Sequence, residues 1–437
     1  MRFAIALLAL ASLHGQTGDP EKLLDSVRAK LQLMTRRLVK YACIETVDRR
    51  YFQRASEPNA EADAPAASCK PLSAVGNPRG EGSSLEATDR LRLEVTISQG
   101  LEIHSWPGAT RFDIRSLDEI ISGGPIGAGA FATYLLDVFD NPGVVFRYAG
   151  ETSTGQAASL EYSFHMPLEA SHYHVKIGTA WRPTAYDGAF WLDPVSLELQ
   201  RLTIRTEELP AATSMCQAET TLEYQRVHIG DGDVLLPRQG WLQTLMRNGR
   251  QANNAIAFSD CREYQAESQL LFDSGGDAEA AAAKLLVRAP VALPIGLPVT
   301  LALAAPIDTD TAAAGDPIAA KVVKPVRRRG ATAALIPAGA TVRGRITRVE
   351  HHVLPTPYFL IGLSFNRLEL TGISSPFAAR FDRDVELANQ LGANLTRRGR
   401  GVESWDVGNF LFPTSKKRFV LPAGYQSQWF TLATPAR

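Results

Sequence analysis

The residues of this chain best suited by type and spacing to do chemistry are four cysteines and two clusters of arginine. Cys43, Cys69, Cys216 and Cys261 lie far apart with no Cys-x-x-Cys spacing, which argues against a zinc ribbon and a thioredoxin-like redox site. What remains is structural bridging. Of the three possible pairings, Cys43 with Cys69 and Cys216 with Cys261 are expected, because each joins neighbours along the chain. The arginines stand as Arg327-Arg328-Arg329 and as Arg397-Arg398 with Arg400, each cluster beside glycine between β segments. They belong on exposed loop tips, from which they can contact an acidic surface such as a phosphorylated glycan or anionic lipid headgroups.

Other patterns begin a known site and do not complete it. The glycine-rich Ser122 to Phe131, "SGGPIGAGAF", lacks the Gly-x-Gly-x-x-Gly order after a buried strand and any Walker lysine, so it reads as the lead-in loop of a helix. His172 and His174 share one face of a strand as zinc ligands would, but no further ligand pair with matching spacing follows. Asp308-Thr309-Asp310 with Gly315-Asp316 outlines a calcium loop and fails, since Ala312 stands at the fifth position and no glutamate at the twelfth. There is no Gly-x-Ser-x-Gly elbow and no His-Glu-x-x-His. Carboxylates such as Glu161, Asp187 and Asp193 are present, but a sequence cannot pair them across a cleft. No catalytic, cofactor-binding or metal residue is therefore assigned.

These residues must be held by something larger. At 437 residues the chain exceeds what one compact core usually reaches, so two domains are expected. Lysine plus arginine number 46 and aspartate plus glutamate 46, so no overall field favours nucleic acid. Arg2, an apolar run from Phe3 to Leu13 and then His14-Gly15-Gln16 make a charged start, an h-region and a small residue for cleavage, a signal peptide over 1–15. No later stretch reaches about 18 apolar residues, so no transmembrane segment is expected in the mature chain. Its place is periplasmic or secreted, where disulfides persist.

Asp19-Pro20-Glu21 offers a helix start, and Leu24, Val27, Leu31, Met34 and Leu38 follow as one apolar stripe. Residues 53–89, rich in Ala, Pro, Gly, Ser and Glu, read as a flexible loop tethered by Cys69. From Leu91 the pattern alternates with period two: Leu91, Leu93, Val95 and Ile97, later Leu160, Tyr162, Phe164 and Met166. Asp187-Gly188, Asp231-Gly232 and Asn248-Gly249 are expected to turn the chain between strands. A helix is expected around Phe131 to Phe139, and another around Asp384 to Leu391. A small-residue linker over 273–285 then separates a helix-plus-sheet domain, 16–272, from a second β domain, 286–437. The expected class is mainly β (α+β): a curved antiparallel sheet with one or two helices, followed by a small β-barrel or sandwich. Within the second domain three cassettes repeat, Leu293-Pro294-Ile295-Gly296, Ile336-Pro337-Ala338-Gly339 and Leu421-Pro422-Ala423-Gly424. Each is expected to reverse the chain in a type I turn and launch a strand.

Two resemblances attach to these segments. Gly296 to Gly372, with "GLPVTLAL", "GDPIAAKVVKPV", "LIPAGATVRGRI" and "LSFNRLELTG", is similar to the β-barrel of the conjugal-transfer TrbI family, and the resemblance implies the shape of that domain. The family's inner-membrane helix and channel-forming helix have no counterpart in this sequence. The region 91–270, with "AFWLDPVSLELQRL" and "CREYQAESQLLF", looks like uncharacterised secreted proteins of acidobacterial type. More distantly it resembles the LolA-like lipoprotein-carrier fold, which implies a curved sheet closed by helices over an apolar ligand site. The functional expectation is a non-enzymatic envelope binding or scaffold protein without a cofactor, meeting lipid, glycan or protein components of the envelope. The alternatives are a carrier of an apolar, lipid-like ligand in the N-terminal β domain and a hydrolase whose site only folding assembles.

Overall fold

The computed structural model describes residues 20–38, 40–54, 69, 83–109, 112, 115–121, 123–154, 157–177, 180–210, 212–213, 215–230, 232–247, 249–263, 293–370, 373–381 and 407–433. The signal peptide, the 273–285 linker, the helix expected at Asp384 to Leu391, and Arg397, Arg398 and Arg400 lie outside the described residues.

The chain opens with α1 (Pro20–Leu38), β1 (Tyr41–Arg54), β2 (Ser83–Ser98) and β3 (Leu101–Ser105), then α2 (Leu117–Ile120) and α3 (Thr133–Phe139). There follow β4 (Val145–Thr154), β5 (Ala157–Met166), β6 (His174–Ile177), β7 (Ala180–Pro183), β8 (Tyr186–Leu192), β9 (Leu199–Thr206), β10 (Met215–Ile229), β11 (Gly232–Met246) and β12 (Gln251–Glu263). Next come β13 (Pro298–Leu303), β14 (Ile307–Asp308), β15 (Pro317–Val322), β16 (Val326–Arg327), β17 (Ala334–Ile336), β18 (Thr341–His352) and β19 (Tyr358–Leu370). The last are β20 (Ile373–Pro376), β21 (Ala379–Phe381), β22 (Val407–Pro413), β23 (Val420–Leu421) and β24 (Gln426–Thr431).

The first sheet is antiparallel throughout, in the order β4, β5, β8, β9, β10, β11, β12, β1, β2, β3. Period-two alternation does what it must in such a sheet: Leu91, Leu93, Val95 and Ile97 are buried, as are Leu160, Tyr162, Phe164 and Met166. The stripe of α1 lies on that face, with Val27, Leu31 and Leu38 in the same apolar cluster as Phe131, Leu135 and Phe139 of the α3 region. Arg28 Nε and Gln32 Nε2 of α1 donate to the carbonyl of Phe139, at 3.3 and 3.2 Å, satisfying the end of α3. The apolar faces of these strands are thus core.

Several expectations change here. Cys43 is bonded to Cys261 and Cys69 to Cys216, not each to its sequence neighbour. The reason is topological: the first strand, β1, pairs with the last of the sheet, β12, and their ladder skips a residue between Ala42↔Arg262 and Ile44↔Ser259, beside the two cysteines. Asp187 and Gly188 are not a turn but the second and third residues of β8. A side chain at Gly188 would strike the Phe164 ring at 2.2 Å, so this glycine serves packing. The loop expected over 53–89 is shorter, because Gln53 and Arg54 extend β1 and Ser83 to Asp89 begin β2. Turns do occur at Gly230 and Gly249, both with positive φ.

The second sheet runs β13, β15, β18, β19, with β20 and β22 sharing the far edge of β19, while β24 pairs β13 and β21. It curls around its own core, where Trp429, Ile336, Val342 and Ile361 are fully buried. The ladder changes partner between Pro376 and Ala379, from β19 to β24. The result, among the described residues, is a strongly curved antiparallel sheet, mainly β as expected, without a closed barrel.

The three Pro-x-Gly cassettes build its corners in one way. Gly296, Gly339 and Gly424 have φ of 80°, 82° and 79°. The amide of Ala340 bonds Pro337 O and that of Tyr425 bonds Pro422 O, which puts glycine third in a type II turn and not fourth in a type I turn. Each glycine N–H then donates to the end of a neighbouring strand, at Thr431, Val322 and Leu303, and that same residue donates back to the carbonyl after the glycine. Each cassette does launch a strand, as expected.

Candidate functional site

β2 is the strand both sheets share. One edge pairs with β1 from Ser83 to Thr96. The other pairs with β3 at Glu94 to Ser98, exchanges Arg92 N–H to Ala314 O and Ala314 N–H to Arg90 O at 2.8 and 2.9 Å, and pairs with β18 at Ala87 to Asp89. The segment that resembled a calcium loop is therefore a clip on this edge: Asp316 accepts the Ala313 amide and an ion pair from Arg92, and Asp308 accepts Arg418.

Register places three charges side by side here, Arg49 opposite Asp89 and Asp89 opposite Glu350. The Arg49 guanidinium is fully buried and forks onto Asp89, with Nε to Oδ1 at 2.6 Å and Nη2 to Oδ2 at 2.9 Å. Its Nη1 donates to Gly123 O at 2.8 Å, and the Tyr51 hydroxyl donates to Asp89 at 3.1 Å. On the other side Glu350 accepts Arg348 Nε at 2.7 Å, and His352 Nε2 lies 2.8 Å from it. Burial pushes the Glu350 carboxyl up, but Arg348 and His352 outweigh it and hold it well below the usual carboxylate range. Burial raises Asp89, with Arg49 opposing.

Beside this row opens a cleft of about 240 Å³ that includes Asp48, Arg50, Arg90, Asp310, His351 and Lys417 in its walls. Asp48 accepts Arg90 Nε at 2.5 Å, and Asp310 faces Arg418 at 3.5 Å. His351 stacks on Phe359 with ring centroids 4.3 Å apart; burial, and the neighbouring His352, keep its imidazole below the ordinary value. A second cavity, of about 610 Å³, lies on the outer face of the first sheet, with Trp191, Gln200, Arg201, Glu223 and Arg238 in its walls. There Arg201 lies over the Trp191 ring, and Glu223 accepts Arg201, Arg238 and Gln239 at 3.2, 3.1 and 2.6 Å. Burial raises the Glu223 carboxyl, and these donors more than reverse that.

Inside the first sheet the glycine-rich loop does cradle an anion, and the anion is the protein's own. The Glu102 carboxylate accepts the amides of Gly129, Ala132 and Thr133 at 2.6, 2.8 and 3.2 Å. The loop is tied down further by Arg49 at Gly123 and by Asn254, whose amide donates to Pro125 O at 2.9 Å. His104 lies beside Glu102 and 3.2 Å from Glu45. Burial lowers its imidazole, but the contact with Glu45 and the charges of Glu45 and Glu102 outweigh that and raise it.

The residues singled out in sequence are dispersed. Arg327, Arg328 and Arg329 are exposed on the turn between β16 and β17, where Arg327 Nε donates to Thr332 O at 3.0 Å. His172 is bound to Asp137 at 2.7 Å and His174 to the carbonyl of His172, so the two do not share a ligand geometry. The Arg49, Asp89, Glu350 row is invisible in sequence because Arg49 and Asp89 stand at the buried parity of Val47 and Leu91, and only the register between strands supplies each charge with its partner.

No family model matches the chain and no curated protein matches it. Solved structures do. One is a domain described as that of an outer membrane lipoprotein-sorting protein from Vibrio parahaemolyticus, 12% identical, covering 57% of this chain and 96% of that one, with a TM-score of 0.29. Another is a DUF1329 family protein from Desulfovibrio piger, 13% identical, covering 57% and 96%, TM-score 0.28. A third is a LolA superfamily protein from Nitrosomonas europaea, 8% identical, covering 56% and 94%, TM-score 0.24. None of the three is a TrbI protein. The solved structures to which this chain is similar include a lipoprotein-sorting and a LolA-superfamily domain.

Proposed function

We propose that this chain is an exported, non-enzymatic binding or scaffold protein of the cell envelope that meets its partners on polar surfaces. One observation carries the reading: each carboxylate in the walls of the two cavities is held by arginine, Asp48 by Arg90, Asp89 by Arg49, Asp310 by Arg418 and Glu223 by Arg201 and Arg238. A hydrolase of the two-carboxylate kind needs one acid that keeps its proton near neutral pH. Close arginines work against that, and the one of these carboxyls that burial raises, Asp89, is itself buried with both oxygens taken up by Arg49 and Tyr51. Such paired walls suit recognition of a polar ligand. Export is supported by the two disulfides, which persist in oxidising compartments. No helix among the described residues is long and apolar enough to cross a membrane. The exposed Arg327, Arg328 and Arg329 turn is proposed to meet anionic envelope components, and the same contact is proposed for Arg397, Arg398 and Arg400, which lie outside the described residues.

The competing carrier reading requires α1, α3 and the glycine-rich loop to leave the concave apolar face. The full chain, purified without detergent, is extracted for co-purifying lipid and titrated with a fluorescent fatty acid. Neither stoichiometric lipid nor saturable uptake is expected; either would replace the proposal with the carrier. Turnover of generic ester or glycoside substrates would replace it with the hydrolase.

A further inference from the structure

On the outer face of the first sheet, away from both cavities, three potential metal ligands converge. His165 on β5 stands directly opposite Asp187 on β8, and Asp187 in turn opposite Arg205 on β9. Glu207 follows two positions later, past the end of β9, with its N–H on Ala185 O at 3.3 Å. Alternation puts Asp187, Arg205 and Glu207 on one face, so Glu207 is the diagonal neighbour of Asp187, within reach of a long side chain. One ligand atom from each of His165, Asp187 and Glu207 lies within 4.8 Å of the others, and all three residues are exposed. His165 Nδ1 is 2.8 Å from Asp187 Oδ1. The nearest cation along the ladder, Arg205, is engaged by Glu219 at 2.6 Å. Among the described residues neither carboxylate is paired with lysine or arginine, and Asp187 has His165 as its neighbour, so a dication would relieve the repulsion between the two acids.

We propose that His165, Asp187 and Glu207 form a binding site for a divalent transition metal ion, Zn²⁺ in particular. One imidazole and two carboxylates match the donor preference of this borderline ion, whose bonds of about 2.0–2.2 Å set ligand atoms roughly 3.4 Å apart in a tetrahedral site. Reaching that value takes side-chain rotation that opens the 2.8 Å His165–Asp187 contact and brings Glu207 to the same ion. The remaining position is open to water or to a donor from another molecule. Bound metal would tie β5, β8 and the end of β9 together from outside. The site is independent of the polar cavities on which the proposed function rests.

The test uses the tag-free full chain, stripped with chelator, and zinc chloride as the probe in isothermal titration and thermal melting. One saturable site is expected, with a rise in melting temperature at saturation. In His165→Ala and in Glu207→Gln, both exposed and expected to fold as the parent by circular dichroism, affinity should fall at least about tenfold and the melting shift should vanish. His172→Ala should change neither. Absence of saturable binding up to millimolar zinc, or binding and melting shifts unchanged in both variants, overturns the proposal.

Discussion

Arg92 of the first sheet and Asp316, 224 positions later in the second, form an ion pair across the edge where the two sheets meet. Their neighbours Arg90, Arg92 and Ala314 are laddered backbone to backbone, and β18 continues the same edge. The two cores are therefore coupled through one strand. Calorimetry of the oxidised chain should show a single cooperative transition, whereas two resolved transitions would mean that the β2 edge transmits little. Asp316→Ala should destabilise by about 1 kcal/mol, since the pair is partly exposed.

The buried Arg49 fork is expected to matter more. Arg49→Met leaves Asp89 uncompensated beside Glu350 and should cost about 3–5 kcal/mol in urea unfolding. The double variant Arg49→Met with Asp89→Leu should recover much of that loss. A double variant no more stable than the single one would show that the penalty comes from lost packing and not from the stranded charge.

Glu350 sets the acid limb of stability. Its folded pKa is depressed, so its contribution is present above the unfolded value of about 4.3 and is lost as pH falls below that toward the lower folded value. Wild type should therefore lose stability more steeply than Glu350→Gln below about pH 4.5. Parallel acid limbs in the two proteins would remove Glu350 from the account.

The disulfides span 218 and 147 positions. In the chain-entropy model either one alone closes a loop worth about 5 kcal/mol. Reduction should lower the urea midpoint strongly, and non-reducing peptide maps should link Cys43 to Cys261 and Cys69 to Cys216. A map linking Cys43 to Cys69 would contradict the β1–β12 register.

Glu102 holds the glycine-rich loop through three amides. Glu102→Ala should leave them unsatisfied, at about 1–3 kcal/mol for each donor that water cannot reach. Hydrogen exchange at Gly129, Ala132 and Thr133 should rise selectively. Unchanged exchange would mean that packing by Phe131 and Leu135 holds the loop without the carboxylate.

Period-two runs, the apolar stripe of α1 and the Pro-x-Gly corners were legible because each is local: Leu91 to Ile97, Val27 to Leu38 and Gly339 express their roles through neighbours three or four residues away. The mainly-β class followed from them. Cysteine count and spacing likewise settled that the thiols bridge, but not which pairs, since Cys43 meets Cys261 only because β1 lies against β12. Asp187 and Gly188 misled for a related reason: their dipeptide favours a turn, yet the space left by Phe164 decided for a strand interior. The Arg49, Asp89 and Glu350 row, the self-supplied anion at Glu102 and the convergence of His165, Asp187 and Glu207 each join residues from different strands. Sheet register brings them together, and register is a property of long-range pairing that alternation along one strand does not contain.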